Sequence, residues 1–114
     1  IERFSVFVGV DSGVTYMADT LAIPMVYLPG PANAKDQGPI KARCIILEKP
    51  LPCAPCSRVF VTPKTCATGT HECIAAFGAE SIHEAIVSIT WSCFIVSWVM
   101  AWEMPWRYQP FSKL

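Results

Sequence analysis

The chain lacks an excess of charge of either sign: nine basic and nine acidic side chains are spread over 114 residues, and the formal net charge is zero. That removes a polycationic nucleic-acid binder, because holding phosphates by charge needs a surplus of Lys and Arg. Glycine and proline, at 6 and 10 residues, fall short of a low-complexity chain, and 53% of the residues are apolar. Such a composition folds rather than staying disordered. There is no internal repeat, no charge block and no P-loop. No signal peptide is expected, since Glu2 and Arg3 precede an apolar run of only strand length. No Ser/His/Asp or Cys/His arrangement that orders a nucleophile, its base and an orienting acid is evident, so hydrolase and protease readings have little support. Residue 1 is Ile rather than Met. The segment is therefore expected to begin inside a longer reading frame, as one domain or part of a larger one, with its first strand separated from its neighbours.

What is present has the rhythm of an alternating α/β fold. Residues 4–10 are aromatic and β-branched and stop at Asp11-Ser12-Gly13, the pattern of a buried strand running into a turn. Val14, Met17, Ala18 and Leu21 recur at i, i+3, i+4 and i+7, which predicts a short helix with those four on its buried face and Asp11 or Ser12 as its cap. Pro24 breaks that helix. Residues 25–28 then read as a second buried strand, closed by Pro29-Gly30-Pro31. A β-α-β unit of this kind implies parallel strands with a right-handed crossover. Residues 33–43 read as a polar surface loop containing Gly38-Pro39, and a third strand is expected at 44–47. Four prolines between 50 and 63 predict an extended, non-helical segment. Ser81-x-x-Glu84 matches a capping box and predicts the start of a last, apolar-periodic helix, with His83 on its surface.

The turn at Asp11-Ser12-Gly13 carries the first candidate chemistry. A strand that ends in small residues and feeds a helix leaves unpaired N–H groups aimed at one spot, and the helix dipole makes that spot attractive to an anion. Gly13 lets a ligand approach the backbone, Ser12 offers a hydroxyl, and Asp11 can accept from sugar hydroxyls at the C-terminal edge of the sheet. A plain helix cap uses the same residue types. Both readings stand on the tripeptide alone.

Six cysteines are many for this length. Four are spaced as Cys53-x2-Cys56-x9-Cys66-x6-Cys73, and four thiolates can close a tetrahedral structural zinc site. Free or redox-variable thiols packed in a loop fit the same spacing, as do the disulfides of an exported protein, which a reducing cytosol disfavours. An iron–sulfur centre is a lesser alternative. His71 is the histidine placed to join a metal site. Cys44 and Cys93 read as small buried hydrophobes. Beyond them, residues 85–102 contain no charge, and Trp91, Trp98, Trp102 and Trp106 share one helical face. That tail fits a helix packed on another domain, an interfacial helix with its Trp face in lipid, or a single span at the lower limit of length.

The order of these motifs resembles a known family. Gly9-Val-Asp-Ser-Gly-Val-Thr-Tyr-Met-Ala18, Leu21-Ala-Ile-Pro-Met-Val26, Gly30-Pro31, Gly38-Pro39, Cys53-Ala-Pro-Cys56, Cys66, His71-Glu-Cys73 and the helix opening at Glu80 are together similar to the ADP-heptose:lipopolysaccharide heptosyltransferases, glycosyltransferase family nine, over roughly residues 5–90. The resemblance implies the C-terminal part of a GT-B fold, a partial Rossmann-like parallel sheet over residues 1–90 with a Cys-rich loop at 50–73; the Trp-rich apolar helical tail expected at 91–114 departs from the family pattern, and its role does not follow from the resemblance. It implies a donor site at Asp11, Ser12, Gly13, Tyr16 and Gly30, with Asp11 near the sugar and the Ser12 and Gly13 amides on the diphosphate of an ADP-heptose-like nucleotide sugar. Tyr16 stands where the family usually has His, and a tyrosine donates a hydrogen bond without supplying an imidazole.

The resemblance also places the catalytic base and most of the site for the lipopolysaccharide core acceptor in an N-terminal domain ahead of this segment. On that expectation the chain does not catalyse alone and requires no cofactor. The expected location is the cytoplasm, with a peripheral place on the inner face of the inner membrane as an option. The competing expectation, from the cysteines and the tail, is a small interaction module stapled by zinc at Cys53, Cys56, Cys66 and Cys73, its tail docked on a partner or a membrane.

Overall fold

The computed structural model describes residues 3–58, 61 and 63–91. In chain order it contains β1 (Phe7–Val10), α1 (Gly13–Thr20), β2 (Met25–Leu28), α2 (Ala34–Gln37), β3 (Cys44–Ile46), α3 (Glu72–Ala75) and α4 (Ala79–Trp91). The strands form one parallel sheet in the order β1, β2, β3, with Val10 opposite Leu28 and Tyr27 opposite Ile46. The mixed α/β class and the parallel pairing agree with the alternating pattern of the sequence. Residues 92–114, with Cys93 and the stripe of Trp98, Trp102 and Trp106, lie outside the described residues. Among the described residues no helix is long and apolar enough to cross a membrane.

The continuous apolar run at β2 is explained by its position. It has a strand on each side and a helix over each face, so all four of its residues are buried. Side chains alternate across a strand, and two core clusters result. Val26 and Leu28 meet Ile45, Leu47, Ala85 and Ile89, with Ile82 and Ile86 packed against them; this is the face covered by α4. Met25 meets Ala18, Ile23 and Ala42, with Phe7 and Cys44 alongside; this is the face covered by α1. The i, i+3, i+4, i+7 spacing of Ile82, Ala85, Ile86 and Ile89 puts one stripe of α4 on the sheet.

Two local expectations are corrected. The helix after the first strand forms, but it buries Thr15, Ala18 and Asp19, while Val14, Met17 and Leu21 remain 48%, 58% and 45% exposed. The polar pair can be buried because each finds partners inside: the Thr15 hydroxyl donates to the Val10 carbonyl, and the Asp19 carboxylate accepts the N–H groups of Ile40, Lys41 and Ala42 at 2.9, 2.8 and 2.7 Å. The capping box is also not used as one. α4 already begins at Ala79, and Ile82 N–H donates to the Gly78 carbonyl, so Ser81 lies inside the first turn rather than ahead of it. Smaller shifts are a β1 of residues 7–10 rather than 4–10, and the short helix α2 within the expected loop.

α1 ends before Pro24 is reached. Ala22 takes the left-handed conformation at φ 54°, with Ala22 N–H on the Asp19 carbonyl and Ile23 N–H on the Ala18 carbonyl. That pair of bonds is the Schellman closure of a helix, with buried Ile23 as its apolar lock.

Cys44, expected as a buried hydrophobe, is only partly buried, packed against the core cluster under α1. Burial, with the Asp19 charge adding, pushes its thiol up to about 12, whereas an unfolded thiol ionises near about 8.5. A folded-state value raised above the unfolded one gives stability that is complete below the lower value and is lost as pH rises toward the higher one. The chain is therefore expected to lose stability to urea from pH about 9 upward, and Cys44→Ala to lose less over the same interval. Parallel pH curves for the two proteins would contradict this.

Candidate functional site

Because Val10 lies beside Leu28, Asp11 and the Pro29-Gly30 turn leave the sheet at the same C-terminal edge, which is where open α/β sheets bind ligands. Ser12, at φ −158° and ψ 160°, is the N-cap of α1 by position, but its side chain makes no capping hydrogen bond. Its carbonyl accepts Thr15 N–H at 3.1 Å and Tyr16 N–H at 3.4 Å, and its hydroxyl lies 3.3 Å from Thr15 Oγ1. The Thr15 proton is committed to the Val10 carbonyl, so the Ser12 hydroxyl is the donor of that pair and is not available to a ligand. The Gly13 and Val14 N–H groups have no hydrogen-bond partner among the described residues. Gly13 is exposed, and a Cβ added to it would enter open space. An eight-residue helix thus starts with free donors facing solvent, the arrangement that attracts an anion.

Tyr16 projects from the first turn of α1 onto Asp11, its hydroxyl 2.9 Å from Oδ1 and 3.0 Å from the Gln37 carbonyl. The Gln37 side-chain amide faces Asp11 Oδ2 at 3.5 Å, and the Tyr27 hydroxyl stands 3.5 Å from the same Gln37 carbonyl. Tyr16 resists ionisation, first through burial and then through its hydrogen bond to Asp11 and the carboxylate's charge. Tyr27 is pushed the same way, chiefly by burial. Both phenols therefore remain donors at neutral pH. Sequence reasoning missed Gln37, which sits at the end of α2, 26 positions from Asp11. No spacing rule reaches that far. The helix that delivers it is fixed by Asn33, whose side chain accepts Lys35 N–H at 3.0 Å.

Gly30 is at the same sheet edge but is buried at φ 59°, and the space a Cβ would need is filled by the Ile74 side chain of α3. Its glycine is required by backbone conformation and by the close approach of Ile74. Gly9 has a similar constraint, because a Cβ there would collide with the Phe7 ring and the Thr15 hydroxyl that organises the turn.

The four clustered cysteines meet at a different place. Cys53, Cys56, Cys66 and Cys73 all line one pocket, with Pro31, Leu51 and the 65–68 segment completing its wall. All four are free thiols. Cys66 is partly exposed, and its thiol is drawn down to about 6, first by the Thr68 hydroxyl and then by backbone hydrogen bonds of His71, Thr68 and Gly69. Cys73 shifts upward, first through burial and then through its neighbours Cys56, Cys66 and Cys53. Among the described residues no group of three or more His, Cys, Asp or Glu side chains is placed to hold a metal ion. His71 and His83 are both exposed. The ion pair of Lys49 with Glu72, at 2.8 Å, is exposed on both sides and contributes little to stability.

Comparison with known proteins gives one match. The family model for glycosyltransferase family 9 (heptosyltransferase) matches residues 1–65. That stretch includes the whole sheet, α1, the Asp11 to Gly13 turn, Tyr16, Gly30 and Gln37, and it stops before Cys66 and Cys73. No curated protein and no solved structure matches the chain.

Proposed function

The chain belongs to glycosyltransferase family 9, and from that membership we propose that it is the nucleotide-sugar-binding part of an enzyme that transfers heptose, or a related sugar, to lipopolysaccharide core. The observation that carries the reading is the uncapped start of α1, where the free Gly13 and Val14 amides stand beside Asp11 at the C-terminal edge of the sheet. Glycosyl transfer from a nucleotide sugar expels a diphosphate, and amides already aimed at its oxygens stabilise the charge that develops on it. They do so without reorganising during the reaction.

Asp11 suits the sugar rather than the diphosphate. A carboxylate has about four acceptor positions, of which Tyr16 and Gln37 each engage one. The remaining positions can take vicinal hydroxyls, and the two side chains hold the carboxylate in a fixed orientation. Tyr16 is a positioning residue in this account. The acceptor hydroxyl and the base that deprotonates it are assigned to a second domain of a GT-B cleft, so this segment binds donor without turning it over. The setting proposed for the whole enzyme is the cytoplasmic face of the inner membrane, where nucleotide sugar and lipid-linked acceptor meet.

Binding of an ADP-sugar and of ADP alone, measured by calorimetry on the full chain, tests the division of labour. Asp11→Ala is expected to weaken the ADP-sugar by about tenfold or more, the equivalent of one hydrogen bond to a charged group, and to leave ADP almost unaffected. Equal losses for the two ligands would assign Asp11 to the nucleotide, and no loss for either would remove it from the site.

A further inference from the structure

We propose that Gln37 is a specificity-determining residue of the donor site, its side-chain amide and the Asp11 carboxylate together reading one hydroxyl of the transferred sugar. The inference rests on the donor reading of this sheet edge and extends it to a side chain of α2.

It begins with an imbalance between the two halves of Gln37. The main chain is committed: its N–H donates to the Asn33 carbonyl at 2.9 Å, and its carbonyl accepts the Tyr16 hydroxyl at 3.0 Å and the Tyr27 hydroxyl at 3.5 Å. Tyr27 is fully buried in β2, so the backbone of Gln37 is referenced to the core. The side chain is engaged far less. Among the described residues its hydrogen-bond contact is Asp11 Oδ2, and at 3.5 Å that contact is longer than the roughly 2.7–3.2 Å of a well-formed N–H···O bond. An amide carries two donor hydrogens and an acceptor oxygen. Most of that capacity is unspent, on a residue whose position is fixed.

A hydroxyl completes the pair. Tyr16 donates to Asp11 Oδ1 at 2.9 Å, which leaves Oδ2 the less engaged oxygen, and both Asp11 and Gln37 are partly exposed, so a ligand reaches them. A hydroxyl is donor and acceptor at once. With its oxygen about 2.8 Å from each partner, it gives its proton to Oδ2 and takes a hydrogen from Nε2. The carboxylate repels a phosphate, and an ether or deoxy position has no proton to give. The two groups together therefore select a free hydroxyl, and a ligand without one leaves them poorly paired. Asp11 lies two residues before Gly13, whose amide is assigned to the diphosphate. The group bonded to that diphosphate is the one within reach.

The side chain can be changed without loosening α2, because the anchors of Gln37 are main-chain groups. Gln37→Met keeps its length and removes its hydrogen bonding. The test is calorimetry on the full chain with ADP-heptose and with ADP, for Gln37→Met alone and combined with Asp11→Ala. Gln37→Met is expected to weaken ADP-heptose about fivefold, the worth of one neutral hydrogen bond, and to leave ADP unchanged. It is expected to weaken ADP-heptose again when Asp11 is already Ala, since the amide keeps its own contact with the hydroxyl oxygen. A loss that disappears in the Asp11→Ala background would make Gln37 a support for the carboxylate and overturn the proposal. Equal losses for ADP and ADP-heptose, the mark of a displaced α2, would do the same. No loss in Gln37→Met beside a clear loss in Asp11→Ala would remove Gln37 and leave the donor reading standing, whereas a chain that binds neither ligand would remove both.

Discussion

Replacing Asp19 with Ala is expected to lower the folding stability of the chain by about 3 kcal/mol, the cost of losing hydrogen bonds to a charged acceptor and leaving a buried amide without a partner. Three backbone N–H groups end on this one carboxylate, from Ile40, Lys41 and Ala42, and the side chain itself is only 8% exposed. Water can rehydrate the exposed Ile40 and Lys41 amides in the variant. It cannot easily reach Ala42, which is 1% exposed, and that difference keeps the loss below the sum of three charged bonds. The bonds tie α1 to the chain just ahead of β3, and Arg43 next in sequence supplies the carbonyl for Met25 N–H at 2.9 Å. Loosening the anchor therefore reaches the sheet. Against a total of about 5–15 kcal/mol for a domain, the effect is large. Urea unfolding is expected to show a lower midpoint at an unchanged slope. Asp19→Asn recovers only part of the loss, because its NH2 group is turned toward amide donors. A change within about 0.5 kcal/mol for Asp19→Ala, the size typical of surface sites, would contradict the anchoring role.

Gly13→Val is expected to act in the opposite sense on stability and binding. Gly13 is the first residue of α1, and nothing lies within 4 Å of the position a Cβ would occupy. A valine there does not disturb the fold and removes the backbone freedom of glycine from the unfolded chain, so stability holds or rises slightly. The same side chain stands in the space in front of the free amides. Affinity for an ADP-sugar and for ADP is therefore expected to fall together, by about a hundredfold or about 2.7 kcal/mol. Ser12→Ala is expected to matter much less, because its hydroxyl already donates to Thr15. Unchanged affinity in Gly13→Val, with the fold intact, would place the diphosphate elsewhere.

The sheet was legible in the sequence because its information is local. An apolar run at 25–28 bounded by prolines can be satisfied only by a strand covered on both faces, and β2 is that strand. The turn at Asp11-Ser12-Gly13 was legible for the same reason, as small polar residues between a strand and a helix. The buried face of α1 was not, because periodicity weighs apolar character and not the partners a polar group finds. Thr15 and Asp19 are buried on hydrogen bonds supplied by Val10 and by residues 40–42, and Val14, Met17 and Leu21 are displaced to the outside. Gln37 escaped notice because its contact with Asp11 depends on where α2 is set down, a property of the tertiary fold. The cysteine spacing suggested a metal site; the four residues line one pocket, and among the described residues no group of three or more ligand side chains is placed to hold a metal ion. Spacing said nothing of the Thr68 hydroxyl that lies 3.3 Å from the Cys66 sulfur.

The most direct measurement is of the backbone amides themselves. In the ¹⁵N-labelled full chain titrated with ADP, the Gly13 and Val14 resonances are expected to show the largest shifts of any backbone amide, saturating with the binding isotherm and weakening as salt screens the diphosphate charge. ADP that binds while those two resonances stay in place, or a chain that binds neither ADP nor an ADP-sugar, would contradict the claim that the start of α1 is the diphosphate site.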